Sequence, residues 1–269
     1  MSISPITNEE FERFRRLIYE HAGISLTAEK KIMVASRLAK RLDYYGFSSY
    51  DDYFRLATSP DSAQEFQTLV NILTTNETYF FREPKHFDFL REQILRPWRG
   101  ERFRIWSAAS STGEEAYSLA MMLAEHLGAM REWDIFASDL STRVLDAAKR
   151  AIYLMDRLEY MDPALMEKYC LKGVRSQEGY FRVNEKLRSR VSFAQVNLMQ
   201  PVPPGIGRFE VIFLRNVLIY FDQDTKKQVV ERLITALQPG GYLFISHSES
   251  LYRVTSQLQM VKPSIYRKP

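Results

Sequence analysis

The first place where this sequence can do chemistry is a short apolar run that leads through small polar residues into a helix. Residues 103–106 have the composition of a strand, residues 107–112 are small or polar, and a helical pattern begins near Gly113. A helix that follows a strand so closely offers free backbone N–H groups and positive dipole to a ligand. A second strand-like run ends on Asp139, where a carboxylate can accept hydrogen bonds from ribose hydroxyls. The two features predict a nucleoside pocket.

The loop before Gly113 narrows the choice of nucleoside. It lacks the G-x-G-x-x-G pattern whose glycines let the backbone approach a pyrophosphate, so a dinucleotide is the weaker candidate. A cofactor with a ribose and no phosphate fits better, and S-adenosylmethionine, with S-adenosylhomocysteine as its product, is the common one. We expect no metal, because the four histidines and the single Cys170 show no metal-ligand spacing.

The elements that must position these residues divide the chain into parts. Residues 1–75 have apolar residues at helical spacing and no strand alternation, which predicts a small helical bundle. Beyond Arg102, strand-like and helical runs alternate, which is typical of an α/β domain with a mostly parallel sheet. We expect an all-α domain at 1–75, a linker and connecting helix at 76–102, and a Rossmann-like domain at 103–269. Its predicted strands are 103–106, 133–138, 191–196, 209–214 and 242–246.

The composition is that of a globular protein, with 45% hydrophobic and 26% charged residues. The longest apolar stretch is interrupted by Arg215 and Asn216, so we expect no membrane insertion. A single cysteine can form no internal disulfide, which suits a cytoplasmic location. The net charge of +4 is dispersed, which is far from a nucleic-acid-binding signature and suits an acidic protein partner equally well.

The second predicted helix, from about Ala28 to Gly46, has a basic stripe. Lys30, Arg37 and Arg41 fall on one face at 100° per residue. Two interpretations stay open at this point: a solvated face of an ordinary amphipathic helix, or a docking surface for an acidic partner helix.

A segment at about 172–190 interrupts the α/β alternation. Gly173, Gly179 and the alternating run 180–183 predict a small antiparallel β insert. The insert is either surface decoration or a site where 180–183, as an exposed edge strand, captures an extended peptide. In the second case Arg182 would meet an acidic side chain or a terminal carboxylate.

Six motifs resemble those of the chemotaxis-receptor glutamate methyltransferases, the CheR family, and they occur in the family order over nearly the whole chain. They are Thr74-Thr-Asn-Glu-Thr-Tyr-Phe-Phe-Arg-Glu, Trp106-Ser-Ala-Ala-Ser-Ser-Thr-Gly-Glu-Glu, Ala137-Ser-Asp, Val196-Asn-Leu, Arg215-Asn-Val-Leu-Ile-Tyr-Phe and Gly240-Gly-Tyr-Leu-Phe-Ile-Ser-His-Ser-Glu. The chain departs from the family pattern at Ala116, where proline is frequent, and at Leu214, where cysteine is frequent. Neither side chain is needed for the chemistry.

The resemblance implies methyl transfer from S-adenosylmethionine to receptor glutamates. It implies that Arg82 and Tyr220 act in catalysis, Arg82 by orienting the substrate carboxylate or closing the site. The cofactor-binding residues that it implies are Asn76, Thr78, Arg82, Glu115, Asp139, Asn197, Leu198, Arg215 and Asn216. His247 is expected to be structural. The implied partner is the cytoplasmic domain of a chemoreceptor, with its C-terminal peptide at the β insert. We expect a monomer that is recruited to membrane receptor arrays.

Two other functions remain as alternatives. A nucleic-acid methyltransferase often carries Asn/Asp-Pro-Pro-aromatic after the fourth strand to bind a flipped base, whereas this chain has Arg215-Asn-Val-Leu. A non-catalytic scaffold could retain the cofactor fold, but the presence of Arg82, Asp139 and Tyr220 favours an enzyme.

Overall fold

The N-terminal part of the chain is a helical bundle in the computed structural model, which describes residues 3–128, 131–158 and 160–269 and leaves residues 1–2, 129–130 and 159 undescribed. Its helices are α1 (Asn8–Ala22), α2 (Lys31–Tyr45), α3 (Tyr50–Ala57) and α4 (Ala63–Leu73). Helix α1 begins with a capping box between Thr7 and Glu10 and ends at Gly23, whose φ of 71° closes the helix in the left-handed conformation. Phe14, Leu38 and Leu69 are completely buried between the helices. The predicted all-α domain is confirmed.

A linker leads from α4 into the connecting helix. Helix α5 (Pro84–Phe89) has proline at its first position and continues into a single π-helical segment, Leu90–Leu95. The backbone just before it is unusual, because Phe81 (φ 55°) and Glu83 (φ 59°) both adopt the left-handed conformation. Non-glycine residues adopt it at an energetic cost that the surrounding structure must offset.

Beyond the linker, the described residues form ten strands and five further α-helices. The strands are β1 (Arg102–Ser107), β2 (Glu132–Asp139), β3 (Ile152–Leu154), β4 (Cys170–Lys172), β5 (Tyr180–Val183), β6 (Val191–Gln195), β7 (Phe209–Phe213), β8 (Leu237–Phe244), β9 (Gln259–Lys262) and β10 (Ile265–Arg267). The helices are α6 (Glu114–Leu127), α7 (Thr142–Arg150), α8 (Pro163–Tyr169), α9 (Glu185–Arg188) and α10 (Gln223–Ala236).

Seven strands form the main sheet in the order β6-β2-β1-β7-β8-β10-β9. The first five are parallel to one another, and β10 runs antiparallel to both of its neighbours, β8 and β9. This confirms the predicted Rossmann-like domain with a mostly parallel sheet. Strands β9 and β10 were not predicted. The turn at Pro263 and Ser264 between two short alternating runs is the sequence signal that marks them.

The β insert is larger than the predicted range of 172–190. Its three strands lie in the order β3-β5-β4, so the insert begins at Ile152, and α9 occupies most of the end of the predicted range. The prediction that 180–183 is an edge strand is wrong. Strand β5 pairs with β3 on one side and with β4 on the other, so β3 and β4 are the edge strands of this sheet among the described residues.

The helical bundle lies against the carboxyl ends of the main sheet. At one side, Asn71 of α4 donates from Nδ2 to Thr142 Oγ1 at 3.0 Å. At the other side, Tyr19 of α1 donates its hydroxyl to Asp222 Oδ2 at 2.6 Å. The two contacts leave a space between bundle and sheet. Within the described ranges, no helix combines the length and apolarity that a membrane span requires.

Candidate functional site

A cavity of about 500 Å³ opens between the bundle, the linker and the carboxyl ends of β1, β2, β6 and β7. This is the edge at which open parallel sheets bind ligands. All but one of the predicted site residues line it: Lys30, Arg37, Asn76, Thr78, Arg82, Glu115, Asp139, Asn197, Leu198, Arg215, Asn216 and Tyr220. Arg41 does not. The structure therefore brings the predicted residues together, while the role of each stays a prediction.

Asp139 lies at the end of β2, in the position expected of a ribose acceptor. Its Oδ2 accepts the N–H of Ser111 at 2.9 Å and its Oδ1 accepts the N–H of Ser141 at 2.9 Å. Burial raises the pKa of Asp139, and the backbone donors act against that rise. Each carboxylate oxygen keeps a lone pair for a further donor. The carboxylate is thus pre-oriented by the protein with acceptor capacity left for a diol.

The loop between β1 and α6 approaches its neighbours closely at Gly113. The residue has a φ of 97°, and a Cβ there would lie 2.9 Å from the Cβ of Ala148 and 3.0 Å from the hydroxyl of Tyr153. That hydroxyl also donates to the carbonyl of Thr112 at 2.8 Å. The conformation of the loop therefore requires glycine at position 113, which has no Cβ, and the hydrogen bond from Tyr153 of the β insert.

Glu115 and Arg215 form a buried ion pair at the floor of the cavity. Arg215 Nε donates to Glu115 Oε2 at 2.7 Å, and the hydroxyl of Ser107 donates to Glu115 Oε1 at 2.7 Å. Both charged groups are almost completely inaccessible to solvent. Because the Glu115 carboxylate already has a cationic partner, its implied contact with the ammonium of a bound methionine would be an addition to this pair.

Arg215 also fixes the linker. Its Nη1 donates to the main-chain carbonyl of Arg82 and lies 3.4 Å from Glu83 Oε2. Glu83 in turn accepts the hydroxyl of Ser246 at 2.7 Å. These contacts hold Arg82 and the left-handed Glu83 from the segments that follow β7 and β8.

The guanidinium of Arg82 is held less strongly than its backbone. Its Nη1 donates to the carbonyl of Glu77 at 2.9 Å, and the group lies 5.5 Å from the centre of the Tyr79 ring. Among the described residues it has no carboxylate partner. It is therefore a partly buried cation at the cavity wall that can accept an anionic ligand.

His86 does not line the cavity but contacts Arg215 from a buried position, and no local sequence pattern identifies it. It is 1% exposed, and burial, the charge of Arg215 and His247 lower its pKa to about 3. The ring is therefore neutral, with Nε2 2.7 Å from Ser264 Oγ. Potential ligand atoms of Glu83, His86 and His247 lie within 4.8 Å of one another. The Arg215 guanidinium contacts two of these groups, and a cation beside it is disfavoured.

Asn197 and Tyr220 connect the cavity to the helical bundle. Asn197 Nδ2 donates to the carbonyl of His21 at 2.7 Å, and its Oδ1 accepts the N–H of Met199 at 2.9 Å. The carbonyl of Tyr220 accepts the N–H of Ser25 at 2.8 Å. The amide predicted to read an adenine edge is thus already oriented by protein partners, with one donor and one acceptor position left.

The basic stripe on α2 is not a row of three free cations. Arg37 donates from Nη1 to the carbonyls of Leu73 and Thr74, at the end of α4. Arg41 donates from Nε to Glu65 Oε1 at 2.9 Å, and Glu65 also accepts hydroxyls from the bundle. Only Lys30 of the three is exposed. Arg37 and Arg41 therefore already have partners within the bundle, and their role in docking stays a prediction.

The fold and the cavity define a class of protein: an S-adenosylmethionine-dependent methyltransferase, with an all-α domain in front of a Rossmann-like domain. The all-α domain of the CheR methyltransferases matches residues 9–74, and the SAM binding domain of the same family matches residues 76–267. The chain belongs to the CheR methyltransferase family.

Named relatives agree with this assignment over almost the full length. The chain is 40% identical to a chemotaxis protein methyltransferase of Escherichia coli, over 97% of this chain and 91% of that protein. It is 41% identical to chemotaxis protein methyltransferase 2 of Pseudomonas aeruginosa, over 97% of this chain and 93% of that protein. A chemotaxis protein methyltransferase of Borreliella burgdorferi is 36% identical over 98% of this chain and 95% of that protein.

Proposed function

We propose that this protein methylates glutamate side chains on the cytoplasmic helices of chemoreceptors, with S-adenosylmethionine as methyl donor. The observation that carries the proposal is the contrast between two arginines at one cavity. Arg215 is paired with Glu115, whereas Arg82 has no carboxylate partner among the described residues. A substrate carboxylate would complete the set, because a guanidinium binds a carboxylate through two parallel hydrogen bonds.

The residues of the cavity fit the cofactor. Asp139 keeps acceptor capacity beside the loop that ends at Gly113, and Asn197 keeps amide positions on the neighbouring strand end. Asn76 and Thr78 line the cavity from the linker, where they would close over the bound molecule. When bound, S-adenosylmethionine supplies an electrophilic methyl group on a positively charged sulfur.

The protein's part in the reaction is to bind, orient and exclude water. A glutamate has a pKa of about 4.3 and is ionised at neutral pH, so no general base is required. Arg82 would hold the carboxylate with one oxygen toward the methyl group, and the Tyr220 hydroxyl would guide the reacting groups. Correct placement of two reactants supplies roughly 7–11 kcal/mol in favourable cases.

The partner surface includes Lys30 at the cavity mouth, the exposed cation of the α2 stripe. Receptor methylation helices rich in glutamate would be attracted to it. Lys30→Glu is expected to raise KM for a receptor fragment, less so at high salt because exposed charges are screened within about 8 Å at physiological ionic strength. Lys40→Glu, at an exposed position on α2 and outside the cavity lining, is the matched control.

The β insert offers a second contact with the receptor. Its outer face carries four exposed apolar side chains: Ile152, Leu154, Leu171 and Tyr180. Ile152 of β3 and Leu171 of β4 both lie opposite Arg182 of β5, and Leu154 lies opposite Tyr180. We propose that a receptor C-terminal peptide adds to a free edge of this sheet, with an acidic group of the peptide bound to Arg182.

We propose further that the enzyme acts as a monomer in the cytoplasm and is recruited to receptor arrays at the membrane. In this proposal residues 1–75 are the all-α domain, 76–102 the linker and connecting helix, and 103–269 the methyltransferase domain.

One assay tests the central proposal. Wild-type protein is incubated with methyl-labelled S-adenosylmethionine and either receptor cytoplasmic fragments or tRNA. We expect label on the receptor fragment only, released as methanol in mild base as an ester requires. A fragment with glutamine at the candidate positions is the control. Label on tRNA, or base-stable label on the receptor, would contradict the proposal, and cofactor binding without transfer to either would support the scaffold alternative.

A further inference from the structure

The segment that follows β7 carries three of the predicted site residues on an unusual backbone. Asn216 adopts the left-handed conformation with a φ of 58°, and Leu218–Tyr220 form a 3-10 turn directly after it. Neither conformation is fixed by a regular strand or helix. The direction in which Asn216 and Tyr220 face the cavity therefore depends on groups that hold this segment from outside.

The carboxylate of Glu249 holds the segment that follows β7. Glu249 Oε2 accepts the N–H of Asn216 at 3.2 Å, and Glu249 Oε1 accepts the N–H of Ile219 at 3.3 Å. Its own position is fixed by the N–H of Ser246, which donates to Oε2 at 2.8 Å. Glu249 thus ties both the left-handed residue and the 3-10 turn to the end of β8. It does not line the cavity itself.

Ser246, which holds Glu249 in place, also contacts the Asn216 side chain and the linker. Asn216 Nδ2 donates to Ser246 Oγ at 2.8 Å, and Ser246 Oγ donates to Glu83 Oε1 at 2.7 Å. The main chain of Asn216 is therefore held by Glu249 and its amide by Ser246, beside the linker residue that follows Arg82. This support is formed by Ser246 and Glu249 of the Gly240-to-Glu249 motif, two residues to which the sequence assigned no role.

We propose that Glu249 is a positioning residue for methyl transfer: through the N–H groups of Asn216 and Ile219 it sets the placement of Asn216 and Tyr220 at the cavity. The inference rests on the proposed roles of those two residues. A carboxylate suits the task, because both of its oxygens accept hydrogen bonds. Glutamine has only one such oxygen and would direct an NH₂ group at a backbone donor.

The test compares Glu249→Gln with Glu210→Gln. Glu210 is a second partly buried carboxylate that accepts a backbone N–H, that of Arg104 at 2.7 Å, and it lies outside the cavity lining. Both substitutions are expected to lower the melting temperature. Only Glu249→Gln is expected to lower kcat, by about 10- to 100-fold, which is the range for a small misplacement of catalytic groups. It is also expected to weaken binding of S-adenosylhomocysteine through Asn216.

A double-mutant cycle separates positioning from general loss of structure. If Glu249 acts through Tyr220, then Glu249→Gln will lower kcat much less in a Tyr220→Phe background than in the wild type. The proposal would be overturned if kcat of the double variant falls by the product of the two single-variant factors. It would also be overturned if Glu249→Gln has the wild-type kcat and cofactor affinity. Should Glu249→Gln not fold, the same cycle is run with Glu249→Asp, which keeps the charge with a shorter reach.

The experiment also distinguishes this inference from the proposed function. If wild-type protein transfers no methyl group to receptor glutamate, the proposed function fails. Affinity for S-adenosylhomocysteine still decides whether Glu249 positions Asn216, because calorimetry needs no receptor. Equal affinities in Glu249→Gln and Glu210→Gln would then overturn the positioning role.

Discussion

Arg215 donates one hydrogen bond to the carboxylate of Glu115 and another to the main-chain carbonyl of Arg82. A single guanidinium thus joins the start of α6 to the linker. Its charge is neutralised by Glu115, while its geometry fixes the backbone from which the Arg82 side chain extends. The two arginines of the cavity therefore have different roles: Arg215 joins the parts of the site, and the Arg82 guanidinium stays available for an anionic ligand.

Asp139→Ala is expected to weaken binding of S-adenosylhomocysteine by about 1.5–3 kcal/mol, the usual loss for a hydrogen bond to a charged group. Isothermal titration calorimetry measures it. Asp134→Ala is the matched control, since Asp134 lies on the same strand and pairs with Arg102 and Arg104 away from the cavity. Equal affinities in the two variants would remove Asp139 from the ribose site.

Arg82→Gln is expected to lower kcat by about 10²-fold or more while cofactor affinity changes by less than about tenfold, because the lost guanidinium acts on the substrate carboxylate. Steady-state methylation of a receptor fragment gives kcat. Arg82→Lys is expected to restore little of it, since an ammonium lacks the two-pronged geometry. Wild-type turnover in Arg82→Gln would refute the role assigned to this residue.

Tyr153→Phe is expected to weaken S-adenosylhomocysteine binding about threefold to tenfold, since the cofactor loop loses the hydrogen bond to the Thr112 carbonyl. Tyr117→Phe is the control. Its hydroxyl donates to the Ala148 carbonyl at 2.9 Å, and it is as deeply buried as Tyr153. Both variants should lose about 1 kcal/mol of stability. An identical change in affinity would mean that the Tyr153 bond has no specific effect on the loop.

Arg41→Gln is expected to lower the free energy of unfolding by about 2–3 kcal/mol at pH 7, somewhat less than for a fully buried pair, because Glu65 loses its cation. Burial acts to raise the pKa of Glu65, but the hydrogen bonds from Arg41, Tyr53 and Tyr45 outweigh it and the pKa is lowered.

A depressed carboxylate pKa contributes stability above the ordinary value and loses it as the pH falls through the lowered one. The stability difference between wild type and Arg41→Gln should therefore be full at neutral pH and shrink below about pH 4.5, near the ordinary pKa of glutamate. Urea unfolding at several pH values measures it. A difference that stays constant down to pH 3 would show that Glu65 is not the group responsible.

The sequence predicted the cavity residues well, and the reason is geometric. Asp139, Asn197 and Arg215 each follow a parallel strand, and such strand ends meet at one edge of a sheet. The residues that support them were missed for the opposite reason. Glu249 contacts Asn216 from 33 positions away, and His86 contacts Ser264 from 178 positions away, so nothing in the local pattern joins them.

Properties of the surface depend on similar long-range contacts. A helical pattern places Arg37 and Arg41 on one face of α2, but it cannot reveal that the end of α4 and Glu65 accept hydrogen bonds from them. The run 180–183 has the alternation of a half-buried strand, and the spatial order of strands decides whether it is central or at an edge. Pairing order depends on long-range packing that a local pattern does not contain.

The contacts of the bundle with Asn197 and Tyr220 have a consequence for the exchange of parts between relatives. The carbonyl of His21 and the N–H of Ser25 are main-chain groups, so their bonds need no particular side chain. Gly23 between them is different: a Cβ there would lie 2.7 Å from Met199 Sδ and from Thr225 Cγ2. A chimaera that takes its first 75 residues from another family member should therefore assemble if that donor has glycine at this position. A donor with any larger residue would require Met199 and Thr225 to move and would be strained at this left-handed backbone position, so the join between bundle and sheet would be weakened.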